Sequence, residues 1–386
     1  SLGSGSDQLT VGLGSVDFDA DLGDGNDTAL FQGSLISNPT TERQSFAIND
    51  GTNVINMGAG DDRATFIGGV TGGQAGASGY EIQLGSGNDT AIFGSKSVND
   101  GFQLNTGIGS DQVVLGKDTS NAIIDLGWDN ASTASADPED SSFVPPSGDM
   151  VVLGLGASLN NSLIRSEQYS DLINLAGKVE DTALDLGSGN ATVNVSGQVG
   201  FGGATTESSF ATDSLLPSSS ESADLPDGGE AAVTVWDLGA GDDQVVFSSL
   251  SRLLDLGDGS GLISLGKGSD YLELSGGGHF DVGSIEFDLG NDGDIDTIVF
   301  GLNSSYEGVT ISNFGKQDIL FIGNGKYGYA YEFLNEFASI YDLDNFRSSS
   351  NVIWAQQDST GEQAIMTLDS EQFVPTDNPY SNDEVM

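Results

Sequence analysis

An aspartate stands two residues beyond a Gly-x-Gly pair again and again along this chain. It does so in "LGDGNDTALF" (22–31), "MGAGDDRATF" (57–66), "LGSGNDTAIF" (84–93), "TGIGSDQVVL" (106–115), "LGAGDDQVVF" (238–247) and "LGKGSDYLEL" (265–274). Carboxylates at a fixed offset from glycines, in a chain with no Cys and 1 His, offer hard oxygen ligands and little else. Calcium takes about six to eight such oxygens at roughly 2.3–2.6 Å in irregular geometry, from carboxylates and main-chain carbonyls alike. Glycine lets the backbone bend at positive φ and turn its carbonyls toward an ion. The expected carboxylate ligands are Asp7, Asp27, Asp62, Asp89, Asp111, Asp243 and Asp270, with Asp149 a weaker match. The expected carbonyl donors are the pairs Gly23 and Gly25, Gly58 and Gly60, Gly85 and Gly87, Gly107 and Gly109, Gly239 and Gly241, and Gly266 and Gly268. Stacked one above another, such turns let one ion bridge two successive coils.

Two copies lack the acid, with Ala191 in "LGSGNAT" and Gly261 in "LGDGSGL"; weak or empty sites are expected there. In "DLGNDGDIDTIVF" (288–300) the glycine positions give way to Asp288, Asp292, Asp294 and Asp296, alternating acids that are expected to bind a further calcium. This is no EF-hand, because the Gly at the sixth loop position and the Glu at the twelfth are missing.

The turns need strands to hold them. Each motif ends in a short alternating apolar segment, and most are preceded by another, such as "TNVINM", "YEIQL" or "VTVWDL". Apolar residues at every second position put one face inward and leave Asp, Asn and Gln outside. The first glycines fall at 3, 23, 58, 85, 107, 187, 239, 257 and 266. Steps of 9, 18 and 27 among them suggest a nine-residue half-coil with loops inserted elsewhere. The gap between 107 and 187 holds degenerate copies, "IIDLGWDN", "SGDMVVLGLG" and "SDLINL", read as coils with worn turns. The expected fold is all-β, a parallel β-roll or β-solenoid over 1–300 with calcium-binding turns and a C-terminal capping module over 301–386. Stretches 129–149 and 202–231, rich in Ser, Asp, Gly and Pro, read as surface insertions. In the last part a helix is expected from Tyr331 to Tyr341, and a hairpin joining "NVIWAQQD" to "EQAIMTLD" through "STG".

Composition narrows the function. The 386 residues are 37% hydrophobic and include 56 Gly but 8 Pro, which fits a thin core with many turns. With 58 acidic against 11 basic residues the formal charge is −47, and self-repulsion on that scale opposes compaction unless cations bind. Nucleic acid and anionic membrane are excluded as direct partners by the missing Lys/Arg footprint. No apolar run of about 18 residues offers a transmembrane segment. Without Cys there is no disulfide to staple an exported chain, a part that bound metal fills instead. Ser1 opens the chain with no signal-like segment, as expected of a processed protein or a part of a longer one.

The motif, its spacing and its trailing strand resemble the repeats-in-toxin (RTX) calcium-binding β-roll of secreted bacterial proteins. The resemblance covers residues 1–300. The segment "VTISNFGKQDILFIG" and the later hairpin resemble, more loosely, the terminal module found after such repeats, and the ending "NDEVM" is similar to uncleaved signals for one-step (type I) export. The usual turn begins with two adjacent glycines, whereas Leu, Met or Thr stands first here. That resembles long-coil variants in bacterial surface proteins and leads to the expectation of one regular metal edge.

The resemblance implies a secreted, extracellular, calcium-dependent structural protein of a bacterial cell surface, a surface-layer or filament subunit that forms homo-oligomers or polymers. The alternatives are a non-catalytic export and stability module of a larger secreted enzyme or toxin, or an adhesin that binds a cell-surface glycan through its insertions. Catalysis is not expected. There is no His-Glu-x-x-His, no Gly-x-Ser-x-Gly and no cysteine nucleophile, and the sole histidine, His279, sits among glycines.

Overall fold

The computed structural model describes residues 1–12, 14–16, 18–37, 53–72, 79–94, 98–127, 148–167, 170–201, 233–248, 252–254, 260–274, 285–290, 292–300, 309–313, 318–322, 329–333, 341–342, 356–357 and 373–376. A single coil shows how the fold is built. Asn53–Asn56 runs into the Gly58/Gly60 turn, Arg63–Phe66 leaves it, Val70–Thr71 comes next, and Tyr80–Gln83 opens the following coil beside Asn53–Asn56. Repetition builds three long sheets of 13, 14 and 9 strands, one along each side of the coil, together with a two-stranded pairing of Gly3–Ser4 with Gly23–Asp24. Within the coils every strand pairs in parallel with its counterpart one coil away.

The alternation seen in the sequence is the burial pattern of these strands. In the 14-stranded sheet the inward residues are Ala29 and Phe31, Ala64 and Phe66, Ala91 and Phe93, then Val113 and Leu115, in register down the stack. Stacking identical positions puts Phe31, Phe66 and Phe93 face to face with centroids 4.9 Å apart. Such pairs add to the burial of their own area. Tyr80, Ile82 and Leu84 close the same core from the 13-stranded sheet.

The glycine pairs lie at one corner, between the 13- and 14-stranded sheets. Gly85 has φ +108°, and a Cβ built on it would lie 1.7 Å from the carbonyl oxygen of Gly58 one coil back. The same collision recurs at Gly58 on Gly23, Gly107 on Gly85, Gly239 on Gly187 and Gly266 on Gly239. Glycine is needed here twice over, for its backbone angle and for the distance between coils.

The coils differ from the sequence reading in several ways. Successive turns stack directly at separations of 20, 22, 26 and 27 residues, so the unit is a whole coil of about 20 residues with loops added, and the nine-residue half-coil does not exist. The third side was missed because its strands are two or three residues long, as in Leu35–Ile36 and Lys178–Glu180, too short to show a period. Gly261 is no worn turn: it lies inside the strand Ser260–Ser264, where a Cβ would strike the ring of Phe201 at 2.4 Å. The degenerate copies are true coils, with Ile123–Leu126, Met150–Leu153 and Leu172–Leu175 paired in parallel with their neighbours.

The helix expected over 331–341 is replaced by strand at its start. Tyr329–Phe333 pairs antiparallel with Ile319–Ile322 and, on its other side, with Phe373–Thr376, since alternating aromatics favour a strand over a helix. The parallel ladders continue through Val309–Ser312 and Ile319–Ile322 before pairing turns antiparallel. Of the expected hairpin, Gln356–Gln357 pairs with Tyr341–Asp342, while its second arm and turn lie outside the described residues. So do the insertions, apart from Gly148, Asp149 and the residues 201 and 233 that bound the second.

Gly85→Ala is expected to destabilise the fold by at least about 2 kcal/mol, the scale of a backbone strain that nothing can relieve. Gly12→Ala, where a Cβ meets nothing within 4 Å, should be nearly neutral. Thermal unfolding of the two variants in the same buffer checks this; equal midpoints would contradict the stacked-glycine geometry.

Candidate metal centre along the glycine edge

The aspartate of each turn points into the corner, where it joins a ladder that runs the length of the solenoid. The amide of Asp62 donates to Oδ1 of Asp89 at 2.7 Å, and the amide of Asp89 donates to Oδ1 of Asp111 at 2.7 Å. The same bond links Asp7 to Asp27, Asp27 to Asp62, Asp111 to Asp149 and Asp149 to Asp171. Further on it links Asp243 to Asp270, Asp270 to Asp296 and Asp296 to Asp318. From Asp27 onward these acids are only 1–3% exposed.

Each carboxylate has a second oxygen. Oδ2 of Asp7, Asp27, Asp62, Asp89, Asp111, Asp171, Asp243 and Asp270 is buried without a hydrogen-bond partner. At Asp111 and Asp171 the hydroxyls of Thr106 and Ser166 favour the charged form electrostatically, yet meet no hydrogen-bond geometry with it. A buried carboxylate oxygen left unpaired costs free energy until a cation or a proton reaches it. Burial pushes Asp62, Asp89, Asp111, Asp149, Asp171, Asp243, Asp270 and Asp296 up, with the amide of the preceding coil pulling back and neighbouring carboxylates adding to the rise at all of them but Asp111 and Asp171. Asp62 and Asp111 reach about 6, Asp89, Asp243 and Asp270 about 7, and Asp149 and Asp296 about 8.

A second, exposed ladder lies one residue before the first and runs the other way. The amide of Asn88 donates back to Oδ1 of Asp61 at 2.9 Å, and that of Ser110 to Oδ1 of Asn88 at 3.1 Å. Asn190, Asp242 and Ser269 repeat it. Adjacent residues thus bond to the coil before and the coil after. Between the glycines, the amide of Ser86 donates to the Gly58 carbonyl at 3.1 Å and that of Ile108 to the Gly85 carbonyl at 2.9 Å. The main-chain oxygens of the turn are thereby held in line from coil to coil.

Ala191 is a control within the chain. It occupies the ladder position, fully buried, between Gly189 and the coil of Asp243. Its turn keeps Gly187 and Gly189 at positive φ, and the amide of Thr192 still reaches the Asp171 carbonyl at 2.8 Å. Stacking therefore proceeds where the acid is missing, and the carboxylates at the other positions are free to serve a different purpose.

All the expected carboxylates from Asp7 to Asp270 fall on this ladder, and Asp149 does so as fully as the rest. Of the alternating acids near 290 only Asp296 joins it. Asp292 stays exposed, accepting from the amides of Gly268 and Asp294, and Asp294 is exposed beside it. Asp171 and Asp318 complete the ladder and were missed in the sequence. Their signal was half a motif, an Asp directly before an alternating apolar strand in "SDLINL" and "QDILFI", without the glycines.

Among the described residues no group of three or more acid or His side chains gathers as a metal site. The donors the turns do offer are the orphaned carboxylate oxygens of Asp7, Asp27, Asp62, Asp89, Asp111, Asp171, Asp243 and Asp270, together with aligned glycine carbonyls. That set fits a hard cation that accepts main-chain oxygens. The fold and this edge define a three-sided parallel β-solenoid with a ladder of buried aspartates at one corner. No protein-family model matches the chain, and no curated protein matches it. Among the described residues no helix is long and apolar enough to cross a membrane.

In calcium-free buffer the folded chain holds protons that the unfolded chain releases near the usual carboxylate value of about 3.9. Its stability is therefore expected to be greatest below about pH 4 and to fall continuously up to about pH 8, as Asp89, Asp149, Asp243, Asp270 and Asp296 are forced to ionise. Thermal midpoints across that range, without metal, check the sign; a rise with pH would contradict the buried ladder.

Proposed function

We propose that this chain is a calcium-folded structural solenoid of the repeats-in-toxin kind, secreted and used as a scaffold subunit at a bacterial cell surface. The observation that carries the reading is that the buried aspartates Asp27, Asp62, Asp89, Asp111, Asp243 and Asp270 are each held by one oxygen and orphaned at the other, beside glycine carbonyls. In this reading Asp27, Asp62, Asp89, Asp111, Asp243 and Asp270 supply Oδ2 to calcium, and the glycine pairs of their turns supply carbonyl oxygens. Bound calcium neutralises charge that the corner otherwise has to hold as protons.

Further support comes from the charge of −47, which divalent ions offset both within one solenoid and between neighbours. Ligand binding to the folded state alone stabilises by about 2.7 kcal/mol per site at a hundredfold excess over Kd. Several such sites decide whether the fold exists. A chain unfolded at the low calcium of a cell interior suits export, and folding follows in the higher calcium outside. The long parallel sheets suit a building block, and assembly into sheets or filaments is the expected state.

Asp89→Asn keeps the Oδ1 acceptor for Asp62 and removes the charge. It should lower calcium affinity at least about tenfold, the scale on which even the outer partners of metal ligands act, while leaving the secondary structure of the calcium-loaded protein intact. Calorimetric titration and circular dichroism measure the two together, and an unchanged affinity would remove Asp89 from the ligand set. Light scattering and electron microscopy during a calcium titration, and then during chelation, test the scaffold role. Reversible growth into sheets or filaments is the expected outcome; a monomer at every calcium concentration would leave an export or stability module, or an adhesin.

A further inference from the structure

The glycine edge and the aspartate ladder do not coincide over the whole solenoid. From Gly3 to Asp111 each turn has both glycines at positive φ and a ladder acid. The next coil reaches Asp149 with Gly127 alone of the pair, stacked on Gly107. Asp171 comes after "SEQYS", a stretch with no glycine. One coil later the defect is reversed, for Gly187 and Gly189 return at positive φ but Ala191 replaces the acid. Both features are restored at Gly239, Gly241 and Asp243 and persist to Gly268 and Asp270.

Protein groups hold the coils together where the turns are incomplete. Arg165 sits in register between Asp125 of the coil before and Asp185 of the coil after. Its Nε and a terminal nitrogen bond Oδ2 of Asp125 at 3.1 and 2.6 Å, with Asp125 only 5% exposed. The hydroxyl of Ser170 accepts the Asn190 amide at 3.2 Å, and the Glu167 carbonyl accepts the Ser188 amide at 2.7 Å. Asn161 and Asn121, both in the left-handed region, link side chain to side chain at the opposite corner, and Asn121 continues to Asp100. A cation of the chain itself thus joins successive coils in the stretch between Asp111 and Asp243, where the metal edge is defective.

We infer that the solenoid carries two separate calcium blocks, one ending at Asp111 and one beginning at Asp243, divided by a metal-independent spacer in which Arg165 ties the coils together. This rests on the calcium reading of the ladder. The spacer stops cooperative binding from passing between the blocks, so each end folds and unfolds at its own calcium concentration while the middle stays folded.

Hydrogen exchange read by mass spectrometry on the full chain, across a calcium titration from a chelated start, tests this directly. In calcium-free buffer the strands Arg63–Phe66, Thr90–Phe93, Gln244–Phe247 and Tyr271–Leu274 should exchange quickly. Met150–Leu153, Leu163–Ser166 and Leu172–Leu175 should stay protected. Calcium should restore the two ends with different midpoints. Arg165→Met should make the middle strands exchange as fast as the ends without calcium, and leave the midpoints of both ends within about twofold. Ala191→Asp supplies the one missing ligand to a turn that has its glycines, and should add one bound calcium by equilibrium dialysis.

Loss of protection in all strands at one calcium concentration would overturn the division into blocks and leave the calcium reading standing. Exchange that ignores calcium in every strand would remove both. A stoichiometry unchanged in Ala191→Asp would show that the break has another cause than the missing acid, and would also count against the partition.

Discussion

A buried carboxylate with only one of its oxygens hydrogen-bonded is the constraint on which this solenoid turns. Each ladder aspartate after Asp7 accepts the amide of the ladder residue one coil before it, at 2.6–3.1 Å along the series. That bond satisfies one oxygen and leaves a negative group in a desolvated corner. A lone buried charge is too costly to keep, so the corner must take up protons or a cation. Everything nearby is arranged around that need. The glycines bring main-chain oxygens close, because a Cβ at Gly58 or Gly85 would collide with the previous coil at 1.7 Å.

The two opposed ladders also explain how coils of very different length stay in register. Asn88 is tied backward to Asp61 and Asp89 forward to Asp111, so the turn is located by its neighbours and not by the number of residues since the last one. A slip by one residue would move every inward Phe and Ala to the outside of its sheet. Consecutive rungs are nonetheless separated by anything from 20 to 52 residues. Longer loops cost little, since closure entropy grows only with the logarithm of length.

The same geometry distributes the electrostatic load unevenly. Where glycine pairs and acids coincide, repulsion between neighbouring carboxylates has no counter-charge in the chain, and acids such as Asp89 are raised by Asp111 and Asp62 together, on top of their burial. In the middle of the solenoid burial and Asp237 raise Asp185 to about 6 while Arg165 pulls it back, and on the ladder there burial, Asp111 and Asp171 raise Asp149 to about 8. A stack that contains both arrangements joins coils by an ion pair of its own at one place and leaves carboxylates that call for a proton or an external cation along the ladder.

Much of the edge was legible in the sequence. Gly-x-Gly-x-Asp encodes its own turn: glycine is the residue that accepts positive φ, and an Asp at a set distance is a statement about oxygen ligands. The alternating strand after each motif foretold its inward residues, as at Ala91 and Phe93. The third side was not legible, because two-residue strands such as Val70–Thr71 carry no periodicity. Asp171 and Asp318 lacked the glycines that flagged the others, and Gly261 closes a copy of the glycine pattern yet lies in a strand. In the terminal stretch, Tyr329–Phe333 took the edge offered by Ile319–Ile322, a partner that no local pattern announces. The sequence by itself determined where the chain can turn and which groups it offers there, since backbone angles and ligand chemistry are properties of single residues. Only the tertiary structure decided that those groups are buried, that Ala191 interrupts them and that Arg165 bridges the gap, because burial and neighbourhood arise when one coil lies on another.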